Sequence, residues 1–185
     1  IAVGMASKIP PHNLGEVIDA TVHLIQHPKA TPKDLMEFIQ GPDFPTGGII
    51  FNRRDIVEAY VAGRGAITMR ALTEVEDKKI IVREIPYQVN KSELIIRMAE
   101  LVQEKKIEGI RDIRDESDKD GLRIAIDLKG DAIPQKILNQ LWRATDLQKD
   151  FHMNILALTP ELKPETMSIK DVLAGFLTHR EAVVR

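Results

Sequence analysis

The spacing of the apolar residues changes from a helical to an alternating period at Gly65, and this change constrains the fold more than any other feature of the sequence. Before Gly65, apolar residues recur at three- and four-residue intervals in three short segments. A residue that favours a helix N-terminus precedes each segment: Asn13, Thr31 and Asn52. After Gly65, apolar and polar residues alternate, as on a half-buried strand. The chain is therefore predicted to begin with short helices and to continue into a sheet.

The elements predicted after Gly65 indicate the fold class. Residues 67–75 and 80–86 are predicted to form a hairpin across a turn at Asp77 and Lys78. Further elements are helices that begin at Asn90 and Asp131 and strands over 110–116, 122–128 and 151–158. From Lys79 onward the order is β-α-β-β-α-β, the split βαβ arrangement, with the preceding strand added at an edge. We therefore expect an α+β fold, followed by a helix that begins at Ser168 and still shows a helical pattern at Arg185.

Composition excludes several classes of protein. The 185 residues include no cysteine, so disulfides, thiolate nucleophiles and cysteine-type zinc sites are excluded. No apolar run approaches the ~20 residues of a membrane span, and no secretory signal opens the chain, so we expect a cytoplasmic protein. A formal net charge of −2 means that any nucleic acid would have to bind to one basic face. Because the first residue is not methionine and the last lies in a helical pattern, we expect a piece of a longer protein.

No motif in the sequence supplies a complete catalytic or metal site. The glycines at 47–48 and 63–65 lack the spacing and the lysine of a phosphate-binding loop, which favours turns. His23 and His27 could lie on one helix face, but no third ligand accompanies them, which favours a solvated helix end. The acidic segment 114–120 lacks the ligand spacing and the closing glutamate of a calcium loop, which favours a charged hairpin tip.

Several multi-residue segments occur in the order and spacing of a known family. These segments are residues 1–6, 9–14, 41–46, 63–65, 84–91, 108–110, 114–118 and 179–180. Their sequences resemble those of the A subunit of bacterial type IIA DNA topoisomerases, DNA gyrase above all and topoisomerase IV next. The resemblance covers essentially the whole chain. Two residues differ from those usual in the family: Lys8 stands where asparagine is usual, and His152 stands where glycine is usual.

The resemblance implies a position just after the winged-helix part of the breakage-reunion subunit. Three functional regions are expected: a helical lead-in over 1–65, an α+β tower core over 66–160 and the start of a coiled-coil arm over 161–185. The family's active tyrosine follows an arginine and lies upstream of the segment that begins at Ile1. Tyr60 follows an alanine and Tyr87 follows a proline, so neither matches it. We therefore expect no catalytic residue in this chain.

The tower of the family holds and bends the gate DNA segment during ATP-dependent supercoiling or decatenation, and the resemblance implies the same role here. The expected partners are double-stranded DNA and, in an A2B2 enzyme, a B subunit with a second A subunit. Mg²⁺ and ATP would be used through the B subunit, so we expect neither a cofactor nor a metal in this chain. The expected DNA-binding residues are an apolar wedge, Ile1, and cations that could displace counterions from phosphates: Lys8, Arg53, Arg54, Arg64 and Lys91.

Two other functions are also compatible with the sequence. The split βαβ unit could bind RNA or a small ligand, although aromatic residues make up only 4% of the chain and none lies in the 122–128 strand. Alternatively, the chain could be a structural spacer that positions an active site without touching DNA. Salt-dependent binding to duplex DNA would distinguish a tower from a spacer, because only phosphate contacts release counterions.

Overall fold

A computed structural model of the chain describes residues 4–119, 121–159 and 161–185. Within these residues the chain forms six α-helices and nine β-strands, which confirms the predicted α+β class. The helices are α1 (Leu14–Gln26), α2 (Pro32–Leu35), α3 (Arg53–Ala62), α4 (Lys91–Gln103), α5 (Pro134–Ala144) and α6 (Ile169–Val184). The strands are β1 (Ile49–Ile50), β2 (Arg64–Arg70), β3 (Leu72–Glu76), β4 (Lys79–Glu84), β5 (Ile110–Asp115), β6 (Ile124–Leu128), β7 (Gln148–Asn154), β8 (Leu156–Leu158) and β9 (Pro164–Thr166).

Three helices begin at the residues that their capping patterns predict. At the start of α1, the side-chain oxygen of Asn13 accepts a hydrogen bond of 3.2 Å from the backbone N–H of Glu16. Asn90 caps α4 in the same way. At the start of α6, Ser168 and Asp171 form a reciprocal capping box. Such bonds satisfy N–H groups that the first helical turn leaves without a partner, so the local sequence sets these three boundaries.

Two predicted helices differ from the structure in their extent. The helix α2 has the predicted Thr31 cap but is only four residues long, because the backbone bonds after Leu35 change to three-residue spacing. The helix predicted to begin at Asp131 begins instead at Pro134. Proline suits the first helical turn because its φ is already helical and its missing N–H is not needed there.

The predicted strand over residues 67–75 is divided between two sheets. The strand β2 belongs to a three-stranded sheet with the order β1-β2-β7, whereas β3 forms the predicted hairpin with β4 in a sheet with the order β3-β4-β6-β5. Ala71 separates β2 from β3, and its N–H donates to the Leu147 carbonyl (2.8 Å). The last strand of the predicted β-α-β-β-α-β series, β7, therefore pairs with β2, and β3 occupies the edge of β4.

The chain divides into two compact units. Unit 1 contains residues up to 44, 52–67 and 151–185, and unit 2 contains residues 45–51 and 68–150. In unit 2, branched residues of β4 and β6 pack against α4 and α5 to form the core. Ile80, Ile126, Met98 and Leu141, which represent these four elements, have no exposed surface. The functional division into lead-in, tower core and arm is a separate matter and stays a prediction.

Candidate nucleic-acid interface

Two of the predicted DNA-binding cations, Lys8 and Arg64, lie on either side of one strand in unit 1. The backbone of Lys8 exchanges two hydrogen bonds with Asn154, at 2.8 and 2.9 Å. The next residue, Ile155, donates its N–H to the carbonyl of Gly63 (2.7 Å), which directly precedes Arg64. Successive backbone groups of an extended segment point to opposite sides, so the two cations flank this segment. Two interstrand spacings separate their backbones by about 10 Å.

The backbone on both sides of Arg64 is fixed by close packing. Gly63 has a φ of 72°, and a Cβ atom there would overlap the carbonyl oxygen of Met167. A Cβ atom on Gly65 would overlap the Cβ atom of Ala59. Glycine is therefore required at both positions, in the left-handed region at Gly63 and at a close approach at Gly65. The arginine side chain between them is exposed, so a fixed backbone presents a cation to solvent.

Neither of these two cations is neutralised by a neighbour. In the part of the chain that the structure describes, no carboxylate lies within 4.0 Å of a charged nitrogen of Lys8 or Arg64. The ammonium of Lys8 lies 4.6 Å from the centroid of the Phe151 ring, a distance typical of a cation–π contact. Since a cation–π contact leaves the charge in place, both residues can still attract a phosphate.

Arg53 and Arg54 begin helix α3, also in unit 1. Arg54 donates from Nε to Glu58 (2.8 Å), whereas Arg53 has no ion pair among the described residues. The predicted cap, Asn52, has a left-handed φ of 65°, and its side chain donates to the carboxylate of Asp55 instead of accepting from the helix. The ten residues of α3 span about 15 Å, so Arg53 and Arg64 lie at opposite ends of this helix.

Lys91 lies in unit 2 and is held by an ion pair. Its ammonium is 2.7 Å from the carboxylate of Asp115, and both side chains are about one-third exposed. The Lys91 contact, helped by hydrogen bonds from Ser117, lowers the pKa of Asp115 to about 2. A phosphate would therefore have to displace a carboxylate that stays charged at any physiological pH. Arg54 is likewise paired with a carboxylate, that of Glu58. Lys8, Arg53 and Arg64 have no carboxylate partner among the described residues that a phosphate would have to displace.

The face of the four-stranded sheet that points away from α4 and α5 carries a network of ion pairs that the sequence pattern does not predict. Equal numbers of acidic and basic side chains take part: Glu74, Glu76, Asp112, Glu116 and Asp127 with Lys79, Arg83, Arg111, Arg114 and Arg123. The strands of this sheet contain no aromatic residue, so the face lacks the stacking platform of an RNA-recognition sheet. A balanced charge also makes it a poor surface for phosphates.

Asp127 is the centre of this network. It is only 3% exposed, and its carboxylate lies 3.0 Å from Arg114, 3.4 Å from Arg111 and 3.8 Å from Lys79. Burial alone would raise the pKa of Asp127, but the hydrogen bond from Arg111 and the charges of Arg114 and Lys79 lower it below its ordinary value. The sequence did contain one indication of a buried, paired carboxylate: Asp127 is the single charged residue in the otherwise apolar strand β6.

Neither tyrosine has the environment of an accessible nucleophile. Tyr60 has no exposed surface, and burial raises the pKa of its hydroxyl. Tyr87 is half-buried, in the segment between β4 and α4. A tyrosine that attacks DNA must reach a phosphate and lose its proton, and both requirements oppose this role for Tyr60.

The histidines singled out in the sequence, the possibility of a membrane span and the predicted wedge remain to be compared with the structure. The rings of His23 and His27 are stacked 4.5 Å apart, and no group of three potential metal ligands occurs in the described ranges. No helix in those ranges is long and apolar enough to cross a membrane. His152 is exposed within β7, which continues through this residue as a regular strand. The predicted wedge, Ile1, lies outside the described residues.

Comparison with known proteins places these features in a family. The family of the DNA gyrase/topoisomerase IV A subunit matches residues 1–185. The A subunit of DNA gyrase from Pseudomonas aeruginosa is 51% identical over 191 residues, and that from Clostridium acetobutylicum is 52% identical over 190 residues. A probable chloroplastic/mitochondrial DNA gyrase A subunit from Oryza sativa is 49% identical over 191 residues. Each comparison covers 100% of this chain but only 20–23% of the relative, so the chain spans about a fifth of their length. The chain belongs to the family of the DNA gyrase/topoisomerase IV A subunit.

Proposed function

We propose that the chain forms the tower part of a type IIA topoisomerase and that it binds and bends the gate DNA segment during ATP-dependent supercoiling or decatenation. The observation that carries this proposal is the pair of unneutralised cations, Lys8 and Arg64, on either side of one strand in unit 1. Two positive charges on fixed backbones can bind two phosphates of a duplex without a rearrangement of the main chain.

The charge distribution supports a localised interface. With a net charge of −2, the chain as a whole does not attract DNA. On the sheet face centred on Asp127, cations are matched by acids. Lys8, Arg53 and Arg64 are free of carboxylates among the described residues, so they are the strongest candidates of the predicted set, whereas Arg54 and Lys91 would have to exchange partners.

The predicted functional regions form part of this proposal. Residues 1–65 act as the lead-in to the tower, residues 66–160 as its core and residues 161–185 as the start of a coiled-coil arm. Ile1 acts as the wedge that enters a base step, where partial unstacking of a few kcal/mol is exchanged for a bend that brings more phosphates within reach. The resemblance alone supports the roles of the arm and of the wedge.

The proposed enzyme requires parts that this chain does not supply. Its partners are double-stranded DNA and, in an A2B2 assembly, a B subunit with a second A subunit. The B subunit contributes the Mg²⁺-binding and ATP-hydrolysing functions, and a tyrosine outside these residues forms the covalent link to DNA. The role of this chain is therefore to hold and orient the duplex.

Salt-dependent binding of the chain to duplex DNA tests the proposal. Fluorescence anisotropy with a labelled duplex at several NaCl concentrations gives the affinity and its salt dependence. We expect Lys8→Gln and Arg64→Gln each to reduce the slope of log K against log[NaCl] by about 0.9, because each removes one phosphate contact. The control is Lys29→Gln, which removes an exposed cation of the same unit that lies outside the proposed interface.

Energy transfer between dyes at the two ends of the duplex measures bending in the same samples. We expect the ends to approach on binding, and the approach to diminish in the Arg64→Gln variant. A chain that shows no salt-dependent binding to duplex DNA would contradict the proposal and favour a spacer.

A further inference from the structure

The guanidinium group of Arg70 is held by three contacts from three different parts of unit 2. Its carbon Cζ lies 4.2 Å from the centroid of the Phe51 ring and 4.5 Å from that of the Trp142 ring. Its Nε donates a hydrogen bond to the side-chain oxygen of Gln148, on the neighbouring strand β7. Aromatic contacts and a bonded Nε together fix both the position and the plane of the group.

This arginine differs from the other arginines of similar burial. Three arginines are half-buried in the described residues: Arg70, Arg83 and Arg123. Arg83 is paired with Glu74 at 3.1 Å and Arg123 with Glu116 at 3.0 Å. No carboxylate of the described residues lies within 4.0 Å of the Arg70 guanidinium. A charged group that is partly removed from water is usually paired with a group of opposite charge. Arg70 has no such anionic partner among the described residues.

The two Nη nitrogens of Arg70 make no hydrogen bond to the described residues, which leaves four N–H donors in a fixed plane. Such an edge matches two oxygens of a phosphate, which it can bind in a bidentate manner. Ile49 lies directly opposite Arg70 on the neighbouring strand β1 and is 40% exposed, and Phe51 is 37% exposed. Exposed apolar groups beside a cation suit a nucleotide, in which an apolar sugar edge adjoins each phosphate.

We infer that Arg70 binds a phosphate of duplex DNA through its two Nη nitrogens, and that Phe51, Trp142 and Gln148 orient it for this contact. The inference rests on the proposed function, because it assigns a phosphate contact in unit 2 to the same role in DNA binding. It assigns the positioning role to the two aromatic rings and to Gln148, which do not touch the phosphate themselves.

The test compares Arg70→Gln and Arg70→Lys with a matched control, Arg83→Lys, which alters a half-buried arginine that already has carboxylate partners. Duplex affinity is measured by fluorescence anisotropy over a range of NaCl concentrations, and thermal unfolding is recorded for every variant. We expect Arg70→Gln to weaken binding about tenfold and to reduce the salt slope by about 0.9. Arg70→Lys keeps the charge but loses the planar fork, so it should keep the slope and still lose several-fold in affinity. Arg83→Lys should change neither quantity.

A second measurement uses the unaltered chain and so does not depend on how the variants fold. The ¹⁵N resonance of the Arg70 Nε is followed by NMR as duplex is added, with that of Arg83 as the internal reference. We expect the Arg70 signal to shift with saturation at the duplex Kd and the Arg83 signal to stay in place.

The outcomes separate this inference from the proposed function. If the unaltered chain binds duplex with a salt dependence, but neither the Arg70 resonance nor the affinity of the variants changes, the inference is overturned and the proposed function stands. If the unaltered chain does not bind duplex at all, both are overturned. A loss of affinity in Arg83→Lys equal to that in Arg70→Lys also overturns the inference, because the effect would then not require a free guanidinium edge.

Discussion

The hydroxyl oxygen of Tyr60 lies 2.7 Å from Nε2 of His12, and this contact joins helix α3 to the segment before α1. This distance corresponds to a hydrogen bond between the two side chains. Tyr60 has no exposed surface and its hydroxyl oxygen already contacts His12, which fits a structural role and not a catalytic one.

The first prediction is that this chain neither cleaves nor relaxes supercoiled DNA, with or without Mg²⁺ and ATP. Covalent attack needs an accessible, activated tyrosine, and the two tyrosines of the chain are buried or half-buried. The measurement is an agarose gel of supercoiled plasmid after incubation with the chain, followed by denaturation and mass spectrometry. A DNA adduct on Tyr60 or Tyr87 would disprove the prediction.

The second prediction concerns pH and His12. Burial lowers the pKa of His12, and the opposing influences of Glu16 and of the Pro10 hydrogen bond do not offset it. The unfolded chain then binds a proton on His12 more readily than the folded chain, so the free energy of unfolding falls as the pH drops below the ordinary histidine pKa of about 6.5. Above that pH, His12 is neutral in both the folded and the unfolded chain and does not lower the free energy of unfolding.

Urea unfolding between pH 7.5 and 5.5 measures this dependence. His12→Gln keeps a side chain that can hydrogen-bond but does not titrate, so it should make stability less dependent on pH over this range. The control is His152→Gln, which makes the same replacement at an exposed histidine, and the effect of His12→Gln should exceed it. Equal effects of the two substitutions would contradict the assignment.

The third prediction is that Asp127→Asn destabilises the chain by about 1–3 kcal/mol at neutral pH, because three cations then lose their common anion. The lowered pKa of Asp127 means that its carboxylate stabilises the fold above the ordinary aspartate pKa of about 3.9 and loses this effect as the pH falls through the folded value. The difference between the two proteins should therefore shrink in strong acid. Chemical unfolding at pH 7 and pH 3 tests this, with the exposed Asp131→Asn as a control that should be neutral.

The sequence predicted those features that depend on neighbouring residues. Asn13, Asn90 and Ser168 set helix starts because a capping side chain acts within three residues of itself. The division of residues 67–75 between two sheets was not predictable. The chain passes from one sheet to the other at Ala71, and the N–H of Ala71 donates to the carbonyl of Leu147, which is distant in sequence. Alternation of apolar residues does not reveal which strand will be the partner.

The same contrast applies to the candidate interface. A basic side chain is visible in the sequence, but the acid that neutralises it is not, unless the two lie close together on one helix, as Arg54 and Glu58 do. The sequence pattern around Lys91 does not reveal its partner Asp115, and Arg70 has no local signal because its contacts come from residues 51, 142 and 148. Long-range pairing decides which cations stay free.

The fourth prediction concerns the backbone that presents Arg64. Gly63→Ala should lower the free energy of unfolding by about 2 kcal/mol or more, because alanine is disfavoured in the left-handed region and its Cβ would overlap the Met167 carbonyl. Gly175 supplies the control, since it lies inside α6 and a Cβ there would meet no atom within 4 Å. Gly175→Ala should stabilise the chain by about 0.5–1 kcal/mol. Thermal unfolding that shows the same sign for both substitutions would contradict this account.

The fifth prediction is that the end of α6 exchanges its amide hydrogens faster than the middle of α4. The buried residues of α6, Ile169 and Leu173, both lie in its first half. Phe176 is 54% exposed and Val183 is 60% exposed, so the second half has little apolar contact to hold it. Helical stability in proteins comes mainly from packing of an apolar face, and an unpacked end opens locally at little free-energy cost.

Hydrogen exchange followed by mass spectrometry compares residues 181–185 with residues 94–102 of α4. In α4, Leu94, Met98 and Leu101 are buried one turn apart, which holds the helix along its length. We expect exchange within seconds at the α6 end and protection that approaches global unfolding in α4. The ion pair between Arg185 and Glu181 (2.6 Å) does not alter this expectation, because an exposed pair contributes less than about 1 kcal/mol. Equal protection in the two segments would show that the exposed stripe of α6 is covered in solution, for example by a second helix in a coiled coil.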